Sequence, residues 1–316
     1  FRYRFYPTAA QAAMLRCPFG CVRLIYNRAL RERSEAWTTA KKSLSFAMQS
    51  HGLTRLKADP EFSFLNEVSA VARQQALRHL NNAYVAFFAK RAAYPAFKRR
   101  KSGGSASFMR SAFRWDGTHL TLAKMNHPLD IRWSRPLPKG AEPSSVTVSL
   151  DATGRWHVSM LCDDPTIRPL KKSQRAVGLD LGLHSLVTLS TGEKVENPRH
   201  GTREIARQRR LCRSLSHKVK GSANWQKARI KLARFHARVS DRRRDYLHKL
   251  STRLVRENQA VVVEDLNVHR MVQNHRFSRA INDAGWSEFV RMLTYKETWY
   301  GRDLVKVDRF FPSSKT

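Results

Sequence analysis

The chain has 316 residues, with 59 Lys and Arg against 25 Asp and Glu, a formal net charge of +34. At 41% hydrophobic residues it is long and apolar enough for two or more packed domains, yet it contains no uninterrupted apolar run that would span a bilayer and no secretory leader pattern. Charge this one-sided repels itself unless phosphates neutralise it, so nucleic acid is the expected partner; a membrane surface is disfavoured because the basic segments lack a bulky apolar opposite face.

The chain opens at Phe1 rather than Met, which reads as a native start left out. "FRYRFYPT" alternates and ends near a proline, the pattern of a short strand. Thr8 then caps a helix in which Pro18 and Gly20 are expected to cause a break or kink. A second helical block runs through "NEVSAVARQQALRHLNNAYVAFFAKRA", with Val68, Val71, Ala76, Leu80, Tyr84 and Phe87 as its expected buried stripe. "YPAFKRRKSGG" is a basic hinge, and from Ser105 to Cys162 the texture turns to short alternating strands, with "DATG" as a hairpin turn. These strands, with the N-terminal one, predict a small barrel interrupted by the helical block; "DDPTIRPLKKSQR" reads as a linker. Cys17, Cys21, Cys162 and Cys212 form no C-x-x-C pair and no disulfide framework, which fits a reducing compartment.

The last third begins with "AVGLDLGLHSLVTLSTGEKVEN", three strands joined by short polar turns. A long basic helical region follows, from about Thr202 to Glu257, with Leu247, Leu250 and Leu254 as a buried stripe. "QAVVVEDL" is apolar on both faces and predicts a central strand covered on both sides. A helix through "DAGWSEFVRMLTYKETWYG" and a final strand "DLVKVD" complete an α/β pattern.

Strand alternation turns Val177, Leu179 and Leu181 to one side and Gly178, Asp180 and Gly182 to the other. A carboxylate flanked by glycines has room beside it for a hydrated ion and a phosphate. Glu264 arrives at the end of an apolar strand, where open α/β sheets place their ligand sites. Two such acids on adjacent strands can bind Mg²⁺ (or Mn²⁺) through oxygen, the design of metal-assisted phosphodiester hydrolysis. The plainer reading has Asp180 accepting turn hydrogen bonds and Glu264 paired with an arginine; the recurrence of the pattern on two strands of one unit favours the metal. Asp265 alternates onto the opposite face, and Asp308 is a weaker candidate ligand.

"GLDLG", "GEKVENPRH", "DRRRDYLHKLSTRLVREN", "VVVEDLNV", "INDAGWSEFVRML" and "FFPSSKT", with "RFYPTAAQ", "GCVRLIYNRAL" and "YPAFKRRK" before them, resemble the motifs of the transposon-encoded TnpB family, in order over nearly the whole chain. The resemblance implies an RNA-guided DNA endonuclease related to the ancestors of type V CRISPR effectors. It implies a multi-domain α+β protein: an N-terminal wedge-type, OB-like β-barrel (1–8 and 101–170) carrying a helical recognition insert (9–100), then a RuvC-like RNase H-fold nuclease domain (171–316). Asp180 and Glu264 become the catalytic acids of its first and second motifs. Similar members continue past "FPSSKT" into a four-cysteine Zn²⁺ ribbon and a third catalytic Asp, so the chain as written is expected to hold an incomplete site that does not cleave alone.

The same resemblance implies a guide RNA and a double-stranded target DNA as partners, a cytoplasmic, nucleoid-associated setting and a monomer with RNA. Arg242, Arg243, Arg244 and Lys249, and Lys98, Arg99, Arg100 and Lys101, are the candidate backbone contacts, against the ordinary reading of a charge run as a solvated face. Gln74 falls where related sequences place a reader of the short motif flanking the target, and glutamine can pair bidentately with adenine. Phe113 and Trp115 are expected to pack rather than stack on bases. The alternatives are an RNA-guided binder or repressor that does not cut, a compact type V CRISPR effector, a DNA transposase and a basic RNA chaperone.

Overall fold

The computed structural model describes residues 1–100 and 103–308, which divide into two compact units at the junction of Asp164 and Pro165. The chain is multi-domain α+β. The boundary falls inside the segment read as a linker.

In the first unit a strand, β1 (Arg2–Phe5), leads into α1 (Ala9–Ala40). The Thr8 side chain accepts from the Gln11 backbone N–H while Gln11 returns a bond to the Thr8 backbone, a reciprocal cap that starts the helix where the sequence predicts. The expected break does not occur: α1 runs on through Pro18. Leu15, Phe19 and Val22 lie buried on either side of it, so burial outweighs the one backbone bond that a proline removes. Two further helices, α2 (Phe46–Ala58) and α3 (Ala70–Phe88), follow. In α3 the buried set is Ala72, Arg73, Ala76, Leu77, Leu80 and Tyr84; Val68 is buried just before the helix, and Val71 and Phe87 are half-buried.

The remaining strands are β2 (Gly104–Met109), β3 (Phe113–Trp115), β4 (Leu120–Leu122), β5 (Ile131–Arg132), β6 (Ser145–Leu150) and β7 (Trp156–Leu161). An antiparallel sheet runs β2-β6-β7-β1-β5, with β3-β4 as a separate ribbon. Among the described residues no ladder joins β2 to β5. The β6–β7 hairpin turns through Gly154 at φ +82, and the Asp151 carboxylate accepts from the backbone N–H groups of Thr153 and Arg155. Helices and sheet share one core, in which Phe19, Leu30 and Leu80 meet Phe108, Val148 and Val158. A Cβ on Gly104 would lie 2.5 Å from the Phe19 ring, so only glycine allows β2 this close to α1. Phe113 and Trp115 are buried in the same core, as expected.

The second unit opens with β8 (Ala176–Leu181), β9 (Ser185–Leu189) and β10 (Lys194–Glu196). Two helices follow, α4 (Ile205–Ser216) and α5 (Ala223–Glu257), then β11 (Ala260–Glu264), α6 (Val268–Met271), α7 (Ser278–Ala284), α8 (Trp286–Tyr300) and β12 (Asp303–Val307). The sheet order is β10-β9-β8-β11-β12, antiparallel from β10 to β8 and parallel from β8 to β12. Leu247, Leu250 and Leu254 of α5 and Phe289, Met292 and Leu293 of α8 form a core with Val177, Leu179, Val261 and Val263 of the sheet.

One buried cation ties the two core helices. Lys296 of α8 is 4% exposed and donates from Nζ to the His248 carbonyl at 2.8 Å, and to Ser251 Oγ and Thr252 Oγ1 at 2.7 Å each. None of these partners is a carboxylate, and burial pushes the ammonium down to about 8. A lysine depressed in the folded state binds fewer protons there than in the unfolded chain, so stability rises as pH climbs from about 8 towards the unfolded lysine value. Between pH 8 and pH 10 the change in urea-unfolding stability should be more favourable in the native chain than in Lys296→Met by on the order of 2 kcal/mol; an identical pH slope in the two proteins would refute this.

Candidate active site

Parallel pairing of β8 with β11 runs Ala176↔Ala260, Val177↔Val261, Gly178↔Val262 and Leu179↔Val263. One residue further on, Asp180 and Glu264 stand level at the carboxyl ends of neighbouring strands, which are about 4.8 Å apart in a sheet. Leu179 and Val263 are buried on the helix side. Alternation therefore carries Asp180 and Glu264 to the other face, where both line a cleft of about 260 Å³ together with Gly178, Thr188, Ser190, Val262 and Val307. The cleft sits at the carboxyl ends of β8 and β11, outside which open α/β sheets bind ligands.

The expectation that β11 is covered on both sides is not met. Val261 and Val263 are buried, but Val262 is half-buried and lines the cleft. Apolar content alone does not separate a covered face from a cleft floor, and here one valine serves as floor.

Asp180 is exposed, and among the described residues no hydrogen bond or ion pair reaches its carboxylate; Glu264 is half-buried and takes part in an interaction. Thr188 is the antiparallel register partner of Asp180 on β9. Ser190 Oγ accepts from the Gly178 backbone N–H at 3.0 Å. These two hydroxyl residues were missed in the sequence, although the alternation of "SLVTLS" places both on the face of Asp180. Asp308 follows β12, and it is Val307, the register partner of Glu264, that lines the cleft. Among the described residues no group of three or more His, Cys, Asp or Glu could hold a metal. The donor set is thus two carboxylates beside open space, which fits a hard, water-rich divalent ion and not a closed Cys or His site.

The basic candidates differ in their surroundings. Arg242 reaches Glu204 at 2.6 Å, Arg244 reaches Glu288 at 3.2 Å and Lys249 reaches Asp245 at 2.7 Å. Arg243 donates to the Asn282 carbonyl at 3.1 Å and lies 3.9 Å from Asp283. These side chains pair within the unit, and Arg242, Arg243 and Arg244 link α5 to α4, α7 and α8. Lys98 is half-buried with its ammonium 4.2 Å from the Tyr26 ring centroid, and burial lowers its proton affinity. Arg99 and Arg100 are exposed, as is Gln74 on α3; Lys101 lies outside the described residues. No helix among the described residues is long and apolar enough to cross a membrane.

Comparison with known proteins gives the following. The OrfB_IS605 family, described as a probable transposase, matches residues 157–275; its helix-turn-helix domain matches residues 1–42; and a Cas12f1-like TNB domain matches residues 286–316. In this chain residues 1–42 form β1 and the single helix α1. A Streptomyces pristinaespiralis protein named "Putative RNA-guided DNA endonuclease" is 58% identical over 316 residues, covering 100% of this chain and 78% of the relative. The Escherichia coli K12 protein of the same name, InsQ, is 30% identical over 331 residues, covering 100% of this chain and 81% of that protein. Among solved structures, Cas12f1 in a complex with guide RNA and target DNA superposes with a TM-score of 0.58 at 12% identity, over 95% of this chain and 74% of that one. That likeness is one of fold.

The two glycines beside Asp180 differ in what they tolerate. A Cβ on Gly178 would meet Ser190 Cβ at an ordinary 3.5 Å, whereas one on Gly182 would lie 2.8 Å from the Ser185 backbone oxygen. Gly182→Ala should therefore cost about 1–3 kcal/mol in urea unfolding while Gly178→Ala stays within about 0.5 kcal/mol. Equal losses would contradict the difference in space.

Proposed function

The chain belongs to the TnpB family, matched through its OrfB_IS605 domain and its curated relatives, and from that premise we propose that it is an RNA-guided, metal-dependent DNA endonuclease with a RuvC-like, RNase H-type second unit. The observation that carries the reading is the level placement of Asp180 and Glu264 on adjacent parallel strands in one open cleft.

In this reading Asp180 and Glu264 hold Mg²⁺ or Mn²⁺ through their carboxylate oxygens. Once bound, the ion supplies a nucleophilic water at neutral pH and offsets charge on the scissile phosphate. The chain's own contribution is positional. The β8–β11 ladder fixes the spacing of the two carboxylates, and the helix-side core under Leu179 and Val263 keeps both strands rigid. Thr188 and Ser190 line the same cleft with hydroxyls that can orient water or a phosphate oxygen. Gly178 leaves the space beside Asp180 open for the substrate backbone.

Base pairing by a guide RNA would select the target, leaving to the protein only the flanking motif, with Gln74 as its proposed reader. The five-stranded antiparallel sheet of the first unit, with its helices, is the proposed wedge barrel and recognition insert. Phosphate contacts would position the duplex without reading sequence.

The test uses the full-length protein assembled with guide RNA, which should cleave a matched target in Mg²⁺. Asp180→Ala should lower cleavage at least about a thousandfold, and chelation should do the same, while RNA affinity stays within about threefold. The same variant should weaken Mn²⁺ binding followed by electron paramagnetic resonance. Cleavage retained by Asp180→Ala would end the reading, and loss of cleavage with unchanged Mn²⁺ binding would remove the metal from it.

A further inference from the structure

The segment "ENPRH" follows β10 and lines no part of the cleft, yet two of its side chains bond to the hairpin that carries Asp180. Asn197 is 5% exposed, and both ends of its carboxamide are used. The oxygen accepts from the Arg199 backbone N–H at 3.2 Å and closes a turn over Pro198. The nitrogen donates to the Leu183 carbonyl at 3.0 Å, and a guanidinium nitrogen of Arg199 reaches the same oxygen at 3.4 Å. Arg199 stands at φ +48, an uncommon conformation for a residue with a side chain, held here by its bond to Asn197.

Both ends of this segment are tied to helices. Asp283 of α7 accepts from the backbone N–H groups of Gly201 and Thr202 at 2.8 and 2.9 Å, and from Thr202 Oγ1 at 3.0 Å. The Tyr246 hydroxyl of α5 donates to the Glu196 carbonyl at 2.7 Å. Leu183 lies in the connection between β8 and β9, so its carbonyl is gripped by a loop that is itself fixed. The ladders show what this grip controls. Pairing of β8 with β11 ends at Leu179 and Val263. Beyond that point the ladder continues on the β9 side, Asp180 with Thr188 and Leu181 with Val187, and the Gly182 N–H reaches the Leu186 carbonyl at 3.3 Å. At Asp180 the course of the strand is therefore set by β9 and by the turn that follows.

We infer that Asn197 is a positioning residue for the metal site: by clamping the Leu183 carbonyl it fixes the β8–β9 turn, and with it the angle at which Asp180 faces Glu264. Arg199 is the second donor of the same clamp. The inference rests on the reading of Asp180 and Glu264 as metal ligands. A purely local role would need the Asn197 oxygen alone, since such a turn closes without the amide nitrogen. The nitrogen instead bridges residues 14 apart in the sequence. Outer partners that orient metal ligands are worth about 10–100-fold in metal affinity or activity, and a clamp acting through the backbone belongs at the lower end.

The experiment compares Asn197→Ser, Arg199→Ala and Asn258→Ala in the full-length protein assembled with guide RNA. Serine keeps an oxygen that can close the turn but is too short to reach Leu183. Mn²⁺ binding is followed by electron paramagnetic resonance without target, counting only the binding that Asp180→Ala removes. Asn197→Ser should weaken it about tenfold and raise the Mn²⁺ needed for half-maximal cleavage equally, with cleavage at saturating Mn²⁺ within about threefold of native. Without metal, amide hydrogen exchange at Gly182 should quicken about tenfold. Arg199 is exposed, so Arg199→Ala keeps the fold and should shift Mn²⁺ binding the same way by about threefold; it carries the test alone if Asn197→Ser does not fold. Asn258→Ala removes a buried carboxamide bond, to the Leu254 carbonyl at 2.9 Å, near the amino end of β11. It should lower the thermal midpoint and leave Mn²⁺ binding unchanged. Native Mn²⁺ affinity in both Asn197→Ser and Arg199→Ala, or an equal loss in Asn258→Ala, would overturn the inference. If Asp180→Ala binds Mn²⁺ as the native protein does, the metal-site reading falls and this inference with it; if only the clamp variants keep native affinity, the positioning role alone falls.

Discussion

Everything proposed for this protein depends on the register of one parallel strand pair. Shifting β11 by one residue against β8 would leave Glu264 out of step with Asp180 along the strands, and slipping either strand by one would turn its acid onto the helix side. Register is fixed from that side: Val177 and Leu179 on β8 and Val261 and Val263 on β11 are buried together against α5 and α8. The apolar face therefore determines where the carboxylates stand.

The second constraint is the scarcity of acids. With 25 acidic residues against 59 basic ones, several carboxylates in the second unit are held by a cation or a backbone donor. Glu204 meets Arg242, Glu288 meets Arg244, Glu193 meets Arg253 and Asp283 accepts from the backbone of Gly201 and Thr202. Exposed pairs of this kind contribute little each, but they set which arginines are occupied. Asp180 stands apart from this pattern in an open cleft, which is why a strand carboxylate with no arginine beside it draws attention.

Much of this was legible in the sequence, and the reasons are specific. Alternation in "AVGLDLG" and the apolar run before Glu264 identified both strands and both acids, because period-two burial leaves a direct trace. The Thr8 cap and the "DATG" hairpin were readable because each rests on local side-chain bonds. The break offered at Pro18 is absent because packing of Leu15, Phe19 and Val22 is a tertiary effect that local preference does not include. The helix α2 was not anticipated: only Gln49 and Leu53 are buried along it, too few to write a stripe. The arginines of "DRRRD" were expected to contact phosphate; density of charge is visible in a sequence, whereas their partners Glu204, Asn282 and Glu288 within the unit are not.

The helix α5 is 35 residues long without interruption, a rod of about 50 Å. Its second half packs beneath the sheet through Leu247, Leu250 and Leu254, and its first half extends to the Gly221 turn with α4 alongside. A stiff beam anchored at one end works as a lever. Here the anchored end packs under the strands that carry Asp180 and Glu264.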